Sequence, residues 1–130
     1  MKTVIILFFA TAIGILAGCT TAGVSQDEMQ LCGPRPTQQQ TLNAVAAYIQ
    51  DSDLKDPASA QVKNVRVVGP KKMYKGLVNG GGWSYGWQIV FDLNAKNSFG
   101  GYVGYCPVKI LREANGKVHW NAESYSCDTL

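Results

Sequence analysis

This 130-residue sequence has few charged residues: 16% of its residues are Asp, Glu, Lys or Arg, with 12 basic and 9 acidic side chains. The formal net charge is +3. Without the first 18 residues, whose single charged side chain is Lys2, 11 basic residues face 9 acidic ones. So mild a balance excludes the clustered basic surface that nucleic acid requires. The length predicts one small domain with one core.

Residues that carry chemistry are also scarce. No pair of Cys or His stands at ligand spacing, so we predict no metal site, and Gly80–Gly82 lacks the Lys-Ser/Thr and the helix of a phosphate loop, so we predict no cofactor. The one histidine, His119, has no recognisable acid or nucleophile motif beside it, which favours a surface or hydrogen-bonded structural role. We therefore expect no catalytic residue and no enzyme. An enzyme would need a pocket that holds His119 or a free thiol beside a carboxylate.

Long hydrophobic runs are limited to one, from Val4 to Leu16, which follows Lys2 and precedes small residues. This arrangement is typical of a secretion signal, and the run is short for a membrane span, which needs about 20 residues. We expect residues 1–18 to be a signal peptide that is removed.

The segment Leu16-Ala17-Gly18-Cys19 resembles the lipobox of bacterial lipoproteins, and all four positions match. The resemblance implies that Cys19 becomes the first residue and carries acyl chains such as palmitate; at least two chains make a stable anchor. Thr20, which stands where Asp would retain the protein, implies export to the periplasmic leaflet of the outer membrane. The alternative is ordinary signal cleavage with Cys19 as a bystander.

A polar segment follows Cys19, and the sequence predicts a flexible tether over residues 19–36 before a single domain over residues 37–130. Thr37 and Gln40 fit a capping box, and an apolar stripe predicts one amphipathic helix from Gln38 to Gln50. The stripe consists of Leu42, Val45, Ala46 and Ile49.

The rest of the domain is typical of strands. Asp56-Pro57 predicts a short turn through Ala60, and the valines from Val65 to Val68 predict a strand ended by Gly69-Pro70. Alternation of apolar and polar residues predicts the best strand over Trp83 to Lys96. Tyr102 to Leu111 returns, with Pro107 at a bulge or edge, and Asn115-Gly116 predicts a two-residue hairpin into Val118–Tyr125. The predicted fold class is α+β, with one amphipathic helix packed on an antiparallel β-meander of three to five strands.

Three cysteines remain after Cys19, an odd number for an oxidising compartment: Cys32, Cys106 and Cys127. A two-residue loop at Asn115-Gly116 places Cys106 opposite Tyr125 and Cys127 one diagonal step away, too far for a relaxed bridge unless Pro107 forms a bulge. We favour a disulfide between Cys106 and Cys127, keep Cys32 with Cys127 as the alternative, and expect one free thiol.

Two segments, Asp56-Pro57-Ala58-Ser59-Ala60 and the run from Asn94 to Tyr105, carry a second resemblance. They are similar to a pattern of small bacterial lipoproteins and phage-borne proteins, D-P-x-S-A followed by N-A-K-N-S-F/Y-G-G-Y-x-G. The resemblance covers about residues 50 to 105 and names no activity. The chain departs from the pattern in its longer stretch Lys71–Gly82 and in carrying Cys106.

The second segment yields the candidate binding patch: Asn94, Lys96, Asn97, Tyr102 and Tyr105. Amides flanked by aromatic side chains suit an envelope protein or a glycan of the cell wall. The alternative is that Asn, Ser and Gly only build a turn, with Phe99 folded back over the sheet.

These observations predict a lipid-anchored, non-enzymatic interaction or structural module of the periplasmic envelope, held by membrane lipid through acylated Cys19 and without a nucleic-acid partner. One alternative is an envelope-assembly scaffold like the small lipoprotein subunit of the barrel-assembly machinery, by fold-level analogy alone. Another, suggested by the phage-borne relatives, is exclusion of a second phage or inhibition of a cell-wall hydrolase.

Overall fold

The computed structural model describes residues 23–77, 80–120 and Ser124. They form two helices, α1 (Gln26–Cys32) and α2 (Gln38–Asp51), and four strands, β1 (Asp56–Tyr74), β2 (Trp83–Lys96), β3 (Cys106–Glu113) and β4 (Val118–His119). The strands make one antiparallel sheet in the order β1-β2-β3-β4. The prediction of an antiparallel meander is confirmed, whereas the expectation of a single helix is wrong. The predicted signal peptide and Cys19 lie outside the described residues.

Helix α2 matches its predicted bounds to within one residue. Its capping box is formed, because the Thr37 hydroxyl accepts from the Gln40 backbone at 3.2 Å and the Gln40 side chain accepts from the Thr37 backbone at 3.0 Å. The predicted apolar stripe is wrong in part, since Leu42 and Ala46 are exposed. The buried residues are instead Thr41, Ala44, Val45 and Tyr48.

Helix α1 lies where we expected flexible tether. The Ser25 hydroxyl accepts from the Glu28 backbone at 3.3 Å, and the Glu28 carboxylate accepts from the Ser25 backbone at 2.9 Å, which closes a second capping box. Lys72 of β1 forms an ion pair with Glu28 at 3.1 Å, and the Trp87 indole donates to the Gly33 carbonyl at 3.0 Å. The chain is therefore fixed to the sheet from α1 onward, and the predicted tether does not extend through residues 26–36.

Strand β2 has the predicted bounds, but β1 is longer than predicted. It begins at Asp56, which lies opposite Lys96, so the predicted turn through Ala60 is wrong. It also continues through Gly69-Pro70, where Pro70 lies opposite Trp87. Because β1 is an edge strand, no strand of the sheet lies on its outer side, and a proline without a backbone N–H is tolerated there. Register shifts at three points let this 19-residue strand bend along β2.

The β3–β4 hairpin differs from its prediction by one residue. Leu111 lies opposite His119, and the Glu113 N–H donates to the Lys117 carbonyl at 2.8 Å, so the loop has three residues and not two. Gly116, at φ 90°, supplies the left-handed residue that such loops require. Strand β3 begins at Cys106 rather than Tyr102, which makes only an isolated bridge to Lys96. Pro107 lies within β3, opposite Asp92.

The alternation predicted for β2 is wrong near its start, where Trp83 is exposed while Ser84 and Gly86, on the face predicted to be solvated, are buried. The core follows the alternation only in the second half of β2. Its odd-numbered residues from Ile89 to Ala95 are buried in one cluster with two residues of β3 and three of α2. The rings of Phe91 and Trp120 lie edge-on to Tyr48 at 5.7 and 5.2 Å between centroids. The cluster comprises Ala44, Val45, Tyr48, Leu54, Ile89, Phe91, Leu93, Ala95, Val108 and Ile110.

The structure decides one of the two alternative cysteine pairings. Cys32 is a free and buried thiol whose pKa is raised by burial, so the alternative pairing of Cys32 with Cys127 is not made. Cys106 is also buried, but Cys127 lies outside the described residues, and the pairing of these two stays a prediction.

Candidate functional site

The turn between β2 and β3 is built by one side chain. The Asn97 carboxamide oxygen accepts from the backbone of Phe99 at 3.0 Å and of Gly101 at 3.2 Å. The Asn97 N–H donates to the Gly101 carbonyl at 2.9 Å, and Gly100 takes a positive φ of 77°. Asn97 therefore shapes the loop and does not present its amide to a ligand.

The two segments Asp56–Ala60 and Asn94–Tyr105 meet at this end of the sheet. The Ser59 hydroxyl donates to the Asp56 carbonyl at 2.7 Å and accepts from the Lys96 N–H at 2.9 Å. The Tyr102 hydroxyl donates to the Ser59 carbonyl at 3.1 Å. Ser59 thus ties the start of β1 to the end of β2 and to the following loop.

Asn94 has a structural role too. It is buried, and its side-chain oxygen accepts from the Gly104 N–H at 3.1 Å. Of the five patch residues, the two asparagines thus belong to the turn-building alternative. The other half of that alternative is wrong: Phe99 does not fold back over the sheet but is 96% exposed, in a loop where the Asn97 side chain holds the backbone N–H groups of Phe99 itself and of Gly101.

The exposed and half-buried side chains at this end form what we call the aromatic rim: Phe99, Tyr102, Tyr105, Lys63 and Lys96. Tyr102 and Tyr105 are each somewhat under half exposed. The Lys63 ammonium lies 3.9 Å from the Tyr105 ring centroid, and that of Lys96 lies 5.6 Å from the Tyr102 centroid. Sequence reasoning missed Lys63, whose place at this end depends on its register opposite Asp92.

A second cluster surrounds Glu113. The His119 Nε2 atom lies 2.9 Å from a Glu113 carboxylate oxygen and 3.3 Å from the Ser84 hydroxyl. The expectation that no acid stands beside His119 is therefore wrong. Burial raises the pKa of Glu113, but hydrogen bonds from Ser84 and Asn115 and the nearby His119 outweigh it and lower that pKa below its usual value.

This cluster has the residue types of a hydrolytic triad without its geometry. In such a triad the acid holds one imidazole nitrogen and the nucleophile uses the other. Here Ser84 and Glu113 approach the same nitrogen, so a proton that Nε2 donates to Glu113 prevents it from deprotonating Ser84. Ser84 is also only 2% exposed, although a concavity of about 290 Å³ reaches Ser84 and Glu113. The cluster is built to join the β3–β4 hairpin to β2.

Among the described residues, no three His, Cys, Asp or Glu side chains stand close enough to hold a metal ion. No helix in the described part of the chain is long and apolar enough to cross a membrane.

Comparison with protein-family models, curated proteins and solved structures gave no match to this chain. The site is therefore interpreted from its own geometry.

Proposed function

We propose that this chain is a bacterial lipoprotein whose acylated Cys19 holds it in the periplasmic leaflet of the outer membrane. Its domain acts there as a non-enzymatic binding module that contacts an envelope protein through the aromatic rim. In this proposal α2 packs on the sheet and supports it as a rigid platform.

The observation that carries the proposal is the exposure of Phe99. A phenylalanine that is 96% exposed gains nothing from the fold, and yet its backbone is held by the Asn97 side chain, which also accepts from Gly101. Binding of a protein partner removes such a ring from water, and rigid aromatic anchors dominate the affinity of protein interfaces. The rim therefore has the composition of an interaction surface.

The lysines favour a protein over a glycan. One face of the Tyr105 ring is covered by the Lys63 ammonium at 3.9 Å, so that face does not stack on a sugar ring. Two ammonium groups beside three aromatic rings match an apolar surface with acidic residues at its margin. We therefore commit to a protein with such a surface.

The test is site-specific photo-crosslinking in cells that produce the full chain. A photoreactive amino acid at Phe99 is expected to capture one envelope protein, and the matched control is the same group at Leu42, an exposed apolar residue of α2. With the purified partner, Phe99→Ala should weaken binding by about 2 kcal/mol, or roughly thirtyfold in Kd. The melting temperature should stay unchanged, because the ring makes no buried contact.

Two results would contradict the proposal. One is capture of the same proteins from positions 99 and 42. The other is a Phe99→Ala variant that binds the purified partner as well as the unaltered chain does. Binding of purified cell-wall glycan that depends on Phe99 would replace the protein partner by a glycan.

A further inference from the structure

The sheet carries a second group of exposed and half-buried side chains where β1 turns into β2, which we call the hairpin end: Lys72, Tyr74, Leu77 and Trp83. Tyr74 and Trp83 lie opposite each other in the ladder, and their ring centroids are 5.4 Å apart. They are 49% and 51% exposed, and Leu77 beyond them is exposed almost completely. Half of each ring is thus in water at the tip of the sheet.

The surroundings of these rings are cationic. The Lys72 ammonium lies 5.3 Å from the Trp83 ring centroid, and Lys72 and Lys109 line one concavity of about 570 Å³ with Tyr74 and Trp83. Lys71 precedes Lys72 in β1, and Lys75 and Lys117 line a second concavity nearby. Among the described residues, the carboxylates near this end are Asp27, Glu28 and Glu113, of which Glu28 is paired with Lys72 and Glu113 with His119. Lys109 and Lys117 are exposed and form no ion pair within the described part of the chain.

The chain enters the domain from the same side. Glu28, in the first turn of α1, contacts Lys72 and Tyr85, whereas Gly33, just after α1, contacts Trp87 further along β2. The N-terminal end of α1 therefore lies toward the hairpin end. Between Cys19 and Ser25 the chain spans at most about 22 Å. An anchor at Cys19 would hold this end of the domain close to the bilayer.

We infer that the hairpin end docks on the headgroups of anionic phospholipids, an inference that rests on the proposed lipid anchor. Trp and Tyr rings prefer the interface between headgroups and acyl chains. Lysines are drawn to a surface with anionic lipids, within a Debye length of it. The exposed rings enter the interface while the lysines contact phosphate groups, so the anchor and the hairpin end fix the orientation of the domain together.

The test uses the mature acylated protein in vesicles of phosphatidylethanolamine with about 30% phosphatidylglycerol, made with brominated acyl chains that quench tryptophan fluorescence. Because Trp83 is one of three tryptophans, we expect a loss of up to about one third of the emission. The loss should disappear in Trp83→Phe and should be at least halved in zwitterionic phosphatidylcholine vesicles and in a Lys109→Glu/Lys117→Glu variant.

The matched control is Lys55→Glu/Arg66→Glu, which changes the net charge equally at two exposed positions away from the hairpin end and should keep the quenching. The melting temperatures of both double variants show whether they fold. If either variant does not fold, the result for Trp83→Phe decides whether the inference stands. Quenching that survives in Trp83→Phe, or that falls equally in both charge reversals, overturns the inference. Absence of quenching in the unaltered chain also overturns it, and this is the result expected if a protein covers this end. The anchor is scored separately: a protein that leaves the vesicles at high salt disproves the acylation and, with it, the docking.

Discussion

Glu113 shows how one carboxylate can join two strands. It accepts hydrogen bonds from Ser84 of β2 and from His119 of β4, while its own backbone closes the β3–β4 loop. These donors stabilise the charged form, so the pKa of Glu113 lies below its usual value in the folded state. A carboxyl group with a lowered pKa stabilises the fold above its unfolded pKa and loses that contribution as the pH falls through its folded pKa.

The pH dependence of a Glu113→Gln variant follows from this sign. At pH 7 the variant should be less stable by about 1–3 kcal/mol, the usual effect of losing hydrogen bonds to a charged group. The difference should shrink once the pH falls below about 4.5, the usual value for this group. Urea unfolding at pH 7 and pH 3 measures both, with Asp53→Asn, an exposed site, as the control. A stability loss of equal size at both pH values would show that the charge of Glu113 contributes nothing.

At the residue scale, the sequence indicated local geometry better than distant partners. The Asn-Gly composition predicted the turn after β2, because a side chain that bonds its own backbone two and four residues on needs no knowledge of the fold. The Glu113–His119 pair was missed, since their meeting depends on a three-residue loop where two residues were predicted. One residue of register decides which side chains share a face.

At the scale of helices and strands, local sequence again predicted less where an element depends on distant contacts. The capping pattern of Ser25 and Glu28 is present in the sequence, but a helix of 7 residues is not stable alone. Its contacts with Lys72 and Trp87 lie 44 and 54 positions away, beyond any local pattern. Strand β1 exceeded its prediction because pairing with β2 overrides the breaking tendency of Gly69-Pro70. The alternation of β2, by contrast, predicted its bounds and the buried residues from Ile89 to Ala95, but not the burial of Ser84 and Gly86, which depends on contacts with β3 and β4.

The close approach of β2 and β3 gives the test at this scale. A Cβ atom at Gly86 would overlap the backbone carbonyl of Arg112, which cannot rotate away as a side chain can. Gly86→Ala should therefore lower stability by about 1–3 kcal/mol, the usual cost of overpacking. Thermal unfolding measures it, with Gly101→Ala as the control because the added Cβ meets only the Asn97 side chain at 3.9 Å. If the two variants melt together, the strands at Gly86 can separate without cost.

At the scale of the whole molecule, β2 separates the two surfaces. The hairpin end lies at Trp83 and Phe99 of the aromatic rim lies beyond Lys96, so the 14 residues of β2, which span about 43 Å when extended, lie between Trp83 and Phe99. If the hairpin end rests on lipid, the rim faces away from the membrane into the periplasm. The proposed anchor and the proposed partner surface are then compatible, because neither hides the other.

This arrangement predicts what sets the height of the aromatic rim above the bilayer. We expect it to be the contacts of the hairpin end with lipid headgroups, and not the length of the segment between Cys19 and Ser25. A fluorescent amino acid at position 99 and an acceptor on the lipid headgroups report that height by energy transfer in phosphatidylglycerol-containing vesicles. Inserting ten Gly and Ser residues between Cys19 and Ser25 should leave the transfer unchanged at low salt, because the docked domain cannot use the added length. At about 0.5 M salt the Debye length falls to about 4 Å, so the lysines release the surface and transfer should change in the insertion variant more than in the unaltered chain. If the efficiency of energy transfer changes with the insertion at low salt, the segment between Cys19 and Ser25 alone positions the domain, and the hairpin end does not touch lipid.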